Sequence, residues 1–225
     1  MPKVSKEYMD NKRLLIIDAA QRVLEKKTMS TITMQDVINE SGLSQGGIYR
    51  FFKDVDEILA EMISILRGRI DIISKVDEIA ASNADFETKF KALADIPIKL
   101  MEDDIYQLGK TDYEIALFAI NYPERINKIL SNTTRISNKG YLRSAMYKLV
   151  KDEVERRLNS GSKMYYTFDD IISYIVYSYT GIETEAVFNK YYASPGQTIC
   201  TLSDVRRMLT IMTENAIHII NKEVV

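Results

Sequence analysis

Apolar residues recur along this chain at intervals of three and four, which is the spacing of amphipathic helices. No stretch alternates apolar and polar residues with a period of two, and no internal repeat or low-complexity tract interrupts the pattern. The pattern therefore predicts an all-α fold. Pro97 is expected to break or kink one helix, and Gly109 to end the next. The predicted helices cover roughly residues 10–27, 34–41, 45–52, 54–74, 86–97, 98–108, 112–122, 134–158, 168–189 and 202–221, with a short helix beginning near 123 and a loop at 75–85.

Residues 33–53 predict two short helices joined by a tight turn. Thr33 is placed to cap the first helix, with Asp36 three residues later completing a near capping box. Gly42 supplies the left-handed residue that ends it, and Ser44 caps the second helix. This geometry is the helix-turn-helix, whose second helix enters a DNA major groove. The inward positions are Met34, Val37 and Ile38 on the first helix and Ile48, Phe51 and Phe52 on the second.

The outward residues of the second helix favour a DNA-binding role over an ordinary helical hairpin with a polar outer face. Gly46 and Gly47 lie in its first turn, where each costs about 1 kcal/mol relative to alanine. Glycine at such positions lets a backbone approach phosphates or base edges closely. The solvent-facing side chains are Gln45, Tyr49 and Arg50, with Lys53 just beyond.

The segment from residue 16 to 59 resembles the DNA-binding domain of the TetR/AcrR family of bacterial repressors. The most specific part is the pattern Ser-x-Gly-x-Ile-Tyr-x-x-Phe, which runs here from Ser44 to Phe52. Two positions depart from the family. Gln45 stands where the family often has Lys or Arg, and Val55 stands where it has Lys, which shifts phosphate contact toward Arg50 and Lys53.

The resemblance implies a three-helix DNA-binding head at residues 1–55 and a helical ligand-binding and dimerisation body at 56–225. It implies a homodimeric, ligand-responsive repressor of transcription that binds double-stranded operator DNA and releases it when a small effector molecule binds. The helix at 54–74 is expected to connect head and body. Gln45, Gly46 and Arg50 are expected in the major groove with Gln45 and Arg50 at base edges, and Thr33, Ser44, Tyr49 and Lys53 at phosphates.

The last two predicted helices carry continuous apolar stripes that favour a dimer interface, which is their role in the resembled family. Two such helical hairpins build a four-helix bundle. The alternative is that both stripes pack into their own core, but each helix also carries a second apolar set. The stripes comprise Ile172, Ile175, Tyr179, Ile182 and Ala186, then Leu202, Val205, Leu209, Met212, Ala216 and Ile219; the second sets comprise Ile171, Val176, Val187, Met208, Ile211 and Ile220.

Fourteen tyrosines and ten methionines favour a pocket for a small, largely apolar or aromatic effector in the body. Glu114 lies on a very apolar helix, so its carboxylate must be paired, protonated or offered to a ligand if it is buried. Pairing with Arg135 or Arg143, or exposure to solvent, are the alternatives. The predicted ligand-binding residues are Tyr113, Glu114, Phe118, Tyr147, Tyr174 and Tyr177.

Composition excludes several classes of function. The net charge is −2, but residues 1–55 hold nine basic and seven acidic residues, so the head carries +2 and the remainder −4. No nucleophile motif, phosphate loop, dinucleotide fingerprint or metal cluster accompanies the single His218 and the single Cys200, so no enzyme activity, cofactor or metal is predicted. No apolar run suits a membrane span and no apolar signal core is present, which favours the cytoplasm.

One alternative from another class stays open. The chain is then a helical, dimeric ligand-binding protein whose head no longer binds DNA, and Gln45 and Val55 record that loss.

Overall fold

The computed structural model of this protein describes residues 5–68, 71–133, 137–192 and 202–224. Within those ranges the chain is helical, and the one β-type pairing is an isolated bridge between Met164 and Glu223. The predicted all-α fold is confirmed. The helices are α1 (Lys6–Leu24), α2 (Met34–Ser41), α3 (Gln45–Tyr49), α4 (Val55–Gly68), α5 (Ile73–Ala81), α6 (Phe86–Asn121), α7 (Pro123–Ser131), α8 (Asn138–Asn159), α9 (Phe168–Tyr192) and α10 (Leu202–Asn221).

Two compact units divide the chain. Residues 1–70 and 111–136 contribute to the first unit, and residues 71–110 and 137–225 to the second. The predicted DNA-binding head therefore lies within the first unit, which also contains the end of α6 and all of α7. The predicted boundary at residue 55 separates DNA binding from ligand binding and dimerisation. The division into compact units does not test it, so it stays a prediction.

The first unit has one apolar core to which all of its helices contribute. Residues from α1, α2, α3 and α4 meet residues from the end of α6 and from α7. The residues from α6 and α7 are more than 50 positions away in sequence from the helix-turn-helix that they support. The fully buried members include Ile16, Val37, Ile48, Phe52, Leu59, Phe118, Ile126 and Ile129.

The second unit has two apolar clusters and is built around α9 and α10, which pack against each other. One cluster joins Phe90 of α6 to residues of α8, α9 and α10, and the other joins Ile98 of α6 to residues of α9 and α10. The predicted stripes of α9 and α10 supply both clusters, since Ile175, Ala186 and Leu209 are buried. Among the described residues, no helix is long and apolar enough to cross a bilayer.

The structure corrects the predicted helix at 54–74 and the predicted loop at 75–85. Asp54 caps α4 as expected, since its carboxylate accepts the Glu57 backbone N–H at 2.9 Å. However, α4 ends at Gly68, inside the first unit, so it does not extend into the second. A new helix, α5, then begins at Ile73, and the Asp71 carboxylate just before it accepts the backbone N–H groups of Ile73 (3.1 Å) and Ser74 (3.3 Å). Residues 75–81 are therefore helical.

The predicted break at Pro97 and the predicted end at Gly109 were wrong, because α6 is continuous over 36 residues. Ile96, Pro97 and Ile98 are all buried, so packing on both sides of the proline outweighs the one backbone hydrogen bond that it removes. The helix also passes from one unit to the other, with its residues up to Lys110 in the second unit and those from 111 onward in the first.

Helices α1 and α3 end three residues earlier than predicted, at Leu24 and Tyr49, so Phe51 and Phe52 follow α3 instead of lying on it. Helix α1 begins earlier than predicted, at Lys6, because the Ser5 hydroxyl accepts the Tyr8 backbone N–H at 3.2 Å. Helix α7 begins at Pro123, and α10 has the predicted bounds. Arg135, Cys200 and most of the predicted loop between α9 and α10 lie outside the described residues.

Candidate nucleic-acid interface

The turn between α2 and α3 has the geometry that the sequence predicts. Thr33 forms a reciprocal capping box, in which its hydroxyl accepts the Asp36 backbone N–H (3.2 Å) and its own backbone N–H donates to the Asp36 carboxylate (2.9 Å). Gly42 ends α2 in the left-handed region at φ 68°. The Ser44 hydroxyl then accepts the Gly47 backbone N–H at 3.2 Å. Side-chain caps on both sides of a glycine turn fix the two helices locally.

Helix α3 is short, with one buried and one exposed side. Ile48 is fully buried in the core of the first unit, whereas Gln45, Tyr49 and Arg50 are exposed. Tyr49 is 47% exposed, although tyrosine side chains in folded proteins are usually at least partly buried. The amide, phenol and guanidinium groups on this side of α3 can therefore meet base edges or phosphates without rearrangement of the core.

The two glycines of α3, Gly46 and Gly47, differ in the space around them. A Cβ built on Gly46 meets no atom within 4 Å, so the fold itself does not require glycine there. A Cβ built on Gly47 lies 3.1 Å from the Ser44 hydroxyl oxygen, which caps the helix. Both glycines are predicted from the sequence to face DNA. In the structure, glycine at position 47 leaves room for the Ser44 hydroxyl that caps the helix. At position 46 no contact within the protein requires glycine, and its absent side chain leaves space on the outer surface.

Several basic side chains of the first unit are already held by carboxylates. Arg50 differs from them, because among the described residues no carboxylate lies within ion-pair distance of its guanidinium. It is therefore the cation of α3 that is available to DNA in the free protein. The held pairs are Arg13 with Glu61, Arg22 with Glu40 at 2.7 Å, Lys27 with Asp36 at 2.6 Å, Lys53 with Glu57 at 2.9 Å, and Arg125 with Asp56 at 2.7 Å.

Arg13 of α1 is a residue that the sequence analysis missed. Its guanidinium lies 4.4 Å from the centre of the Phe52 ring, donates to the Phe51 carbonyl oxygen at 3.1 Å and pairs with Glu61 of α4. The hydrogen bond to Glu61 raises the pKa of Arg13. This residue therefore ties α1 and α4 to the segment that follows α3. No local signal marks it, because its partners are 38 and 48 positions away.

Three of the six predicted ligand residues belong to the first unit. Phe118 is 1% exposed and packs in its core, and the Arg125 guanidinium lies 5.1 Å from the centre of its ring. The Glu114 carboxylate accepts the Met29 backbone N–H at 2.9 Å. Tyr113 is half-buried in the same unit. These contacts give Phe118 and Glu114 a structural role, and an effector contact by any of the three stays a prediction.

The other three predicted ligand residues belong to the second unit and differ in burial. Tyr174 is half-buried and packs against both apolar clusters. Tyr147 is 47% exposed, and its ring meets the Phe168 ring edge to face at 4.9 Å. Tyr177 is 76% exposed on α9. Tyr174 is therefore the one of the three that contributes substantially to the interior of the second unit.

Other candidate chemistry is sparse in the described residues. No three His, Cys, Asp or Glu side chains among them are close enough to hold a metal ion. His218 is exposed near the end of α10, so it does not belong to the core of the second unit.

The helix-turn-helix and the helices around it match a known family. The family model for bacterial regulatory proteins of the tetR family matches residues 16–62. The uncharacterized HTH-type transcriptional regulator YfiR of Bacillus subtilis is 37% identical over 79 residues, which are 35% of this chain and 38% of YfiR. The match thus spans about two fifths of that relative's length.

Two further proteins are similar over most of the chain. The HTH-type transcriptional repressor Rv1474c of Mycobacterium tuberculosis is 24% identical over 168 residues, which cover 72% of this chain and 89% of that protein. The solved structure of the transcriptional regulator FadR from Bacillus subtilis, in complex with stearoyl-CoA, covers 89% of this chain and 97% of FadR with a TM-score of 0.55. At 17% identity that likeness concerns the fold. The proteins named in these comparisons are regulators of transcription, not enzymes.

Proposed function

Because this chain belongs to the TetR family of bacterial regulatory proteins, we propose that it is a cytoplasmic, homodimeric repressor that a small molecule releases from operator DNA. The observation that carries the proposal is the outer surface of α3. Its helix-turn-helix is capped at both helices, and Gln45, Tyr49 and Arg50 are exposed on the side opposite the core. A surface of this kind is what a major-groove reader presents.

The exposed residues divide into two proposed roles. Gln45 and Arg50 read base edges, since an amide and a guanidinium are the side-chain groups that form bidentate hydrogen bonds with adenine and guanine. Gly46 keeps the surface between them low enough for the groove to approach.

Phosphate contacts are proposed for Thr33, Ser44, Tyr49 and Lys53, all of which are exposed. Such contacts set the position of the protein on the duplex and dominate its salt dependence.

The homodimer is proposed to form through the outer faces of α9 and α10. Their inner faces are used in the clusters of the second unit, yet both helices keep large apolar side chains exposed. A second copy would cover them and build a four-helix arrangement. The exposed residues are Tyr177 (76%) and Phe188 (43%) on α9, and Met208 (41%) and Ile211 (37%) on α10.

The effector is proposed to be a small, largely apolar or aromatic molecule bound by the second unit. Tyr174 supports this location because it packs between both apolar clusters there. FadR, which is similar in fold, was solved with stearoyl-CoA, so long-chain acyl-CoA esters belong in the first panel of compounds. Coupling of about 1–3 kcal/mol between effector and operator changes DNA affinity roughly 5- to 150-fold.

The test is binding of the purified protein to DNA upstream of its own gene, titrated with salt and with competitor DNA. We expect tight binding that competitor does not remove and a steep decrease in affinity with salt. The double variant Tyr49→Ala and Arg50→Ala should lose this binding with an unchanged melting curve, whereas Arg143→Ala, an exposed arginine on α8, should retain it. Binding that is unaffected by the double substitution would mean that Tyr49 and Arg50 do not contact the DNA. Weak binding that is indifferent to sequence favours the ligand-binding protein with an inactive head.

A further inference from the structure

Lys53 and Glu57 face each other at the start of α4, beside the proposed DNA surface. One Glu57 carboxylate oxygen lies 2.9 Å from the Lys53 side-chain nitrogen, and the other accepts the Lys53 backbone N–H at 2.8 Å. The Asp54 carboxylate accepts the Glu57 backbone N–H at 2.9 Å and so fixes the base of this side chain. A single carboxylate therefore binds both nitrogens of a residue that is proposed to bind phosphate.

We propose that Glu57 is a built-in competitor of the DNA phosphate for Lys53, and that it lowers the affinity of this repressor for DNA. The inference rests on the proposed function, since it concerns the same DNA-binding surface. A phosphate oxygen and a carboxylate oxygen take the same kind of charge-assisted hydrogen bond from a lysine. A phosphate oxygen therefore competes with Glu57 for the N–H donors of the Lys53 ammonium.

Exposure makes this exchange feasible. The side chain of Lys53 is 67% exposed and that of Glu57 is 36% exposed. Water therefore screens the two charges, and the ion pair is weak. The side-chain hydrogen bond between them raises the pKa of Lys53 and lowers the pKa of Glu57. Both groups are consequently charged at neutral pH, and the negative charge of Glu57 remains beside the DNA after Lys53 has moved.

Lys53, which is paired with Glu57, differs in this respect from Arg50. Arg50 and Lys53 are the two basic residues proposed to contact DNA. Of these two, Lys53 has a carboxylate partner, whereas no carboxylate of the described residues lies within ion-pair distance of Arg50. Of these two side chains, Arg50 is therefore available to DNA in the free protein and Lys53 is occupied. Removing the Glu57 carboxylate should make Lys53 available to DNA in the same way as Arg50, without changing any residue that is proposed to contact DNA.

The experiment compares the full-length protein with Glu57→Gln. Glutamine keeps an oxygen that can accept the Lys53 backbone N–H but carries no charge. We expect affinity for DNA to rise about two- to fivefold per head, as the loss of a weak surface pair predicts. The gain should shrink as salt rises, because screening weakens both the pair and the repulsion.

A matched control is available on α8. Lys151 and Glu155 have the same order and spacing as Lys53 and Glu57, are both exposed and lie in the second unit. Glu155→Gln removes the same charge from the protein as a whole. It should leave DNA affinity unchanged, so that a gain specific to Glu57→Gln reports the local pair and not the net charge.

A double-mutant cycle tests whether Glu57 acts through Lys53. In the background of Lys53→Gln, which removes the cation, Glu57→Gln should produce a clearly smaller gain, because only the repulsion between Glu57 and the DNA is then relieved. An equal gain in that background overturns the inference, because it shows that Glu57 repels DNA directly. Unchanged or weaker binding by Glu57→Gln alone also overturns it, since Glu57 then serves only to hold the start of α4.

The binding assays use two duplexes so that the two proposals fail separately. A duplex of arbitrary sequence at low salt gives the ratio of affinities for Glu57→Gln and the natural protein, which decides the role of Glu57. The DNA upstream of the gene, measured against competitor, decides the proposed function. If neither protein binds either duplex, both proposals are overturned.

Discussion

The Glu114 carboxylate accepts a hydrogen bond from the backbone N–H of Met29 at 2.9 Å, although the two residues are 85 positions apart. Met29 is buried in the connection between α1 and α2, and Glu114 lies on α6. The sequence marks Glu114 as an unusual carboxylate on an apolar helix. The structure gives it a partner within the first unit, the unit that contains the helix-turn-helix.

We expect Glu114→Ala to lower the free energy of unfolding by about 1–3 kcal/mol, because the Met29 N–H loses its acceptor in a partly buried position. Glu114→Gln should cost less, since the amide oxygen can replace the carboxylate. Urea denaturation followed by circular dichroism measures both. Equal losses in the two variants would contradict a hydrogen-bond role, as would an unchanged Glu114→Ala.

Phe118 and its neighbour Leu117 form a matched pair for the contribution of α6 to the first unit. Phe118 is 1% exposed and Leu117 is 54% exposed. Phe118→Ala should destabilise the protein by about 3–5 kcal/mol through the cavity that it leaves, and Leu117→Ala by no more than about 0.5 kcal/mol. Urea denaturation gives the values. Similar stability of the two variants would mean that α6 does not complete the core around the helix-turn-helix.

Gly46→Ala and Gly47→Ala should separate DNA binding from folding. The methyl group of Gly46→Ala enters open space, so stability should rise by up to about 1 kcal/mol, while DNA affinity falls because the methyl group lies on the proposed contact surface. Gly47→Ala should lower stability by displacing the Ser44 cap. Thermal melts and DNA titrations of both variants test this. Undiminished DNA binding by Gly46→Ala would remove α3 from the groove.

Met208→Glu or Ile211→Glu should convert the proposed dimer to a monomer. Both side chains are exposed on the outer face of α10, and in a dimer each would bury an unpaired carboxylate. Thr210→Glu, an exposed position on another side of the same helix, should leave the dimer intact. Sedimentation equilibrium measures the assembly. A dimer that survives both Met208→Glu and Ile211→Glu would place the interface elsewhere.

The stability of the second unit should decrease in acid through Glu153. This carboxylate is 6% exposed and accepts hydrogen bonds from Arg156 and Arg157 at 2.7 Å. The bond from Arg156, followed by that from Arg157, holds the pKa of Glu153 below its usual 4.5, against the opposing effect of burial.

A lowered pKa means that the stabilisation by Glu153 is complete above its unfolded-state pKa and is lost as the pH falls through the folded-state pKa. We therefore expect Glu153→Gln to be less stable at pH 7 and to lose less stability than the natural protein as the pH falls below 4.5. Urea denaturation from pH 7 to pH 3 measures the slope. Glu155→Gln, which changes an exposed neighbour, should keep the natural slope.

Local patterns predicted the helix-turn-helix well. The Thr33 box, the Gly42 turn and the Ser44 cap each depend on residues within four positions of one another, and all three are present. Local spacing also predicted α10, whose observed bounds are those that its apolar residues indicate. Sequence reasoning succeeds here because the free energies that decide such elements arise from neighbouring residues.

Errors occurred where distant packing outweighs a local rule. Pro97 lies inside a continuous helix because Ile96 and Ile98 are buried on either side of it. The end of α4 was predicted too late because the apolar stripe continues past Gly68, although α4 belongs to the first unit and α5 to the second. Both errors follow from treating a periodic pattern as one element without knowing which core each part enters.

The amino-acid sequence by itself therefore determined the all-α class, the helix-turn-helix and the outward side chains of α3, because short-range spacing and caps encode them. Tertiary structure alone decided that the end of α6 and α7 complete the first core, that Glu114 binds Met29, and that Arg13 holds the segment after α3. These contacts join residues 38 to 85 positions apart. No local pattern specifies such partners, because they are selected by how whole helices bury their apolar faces together.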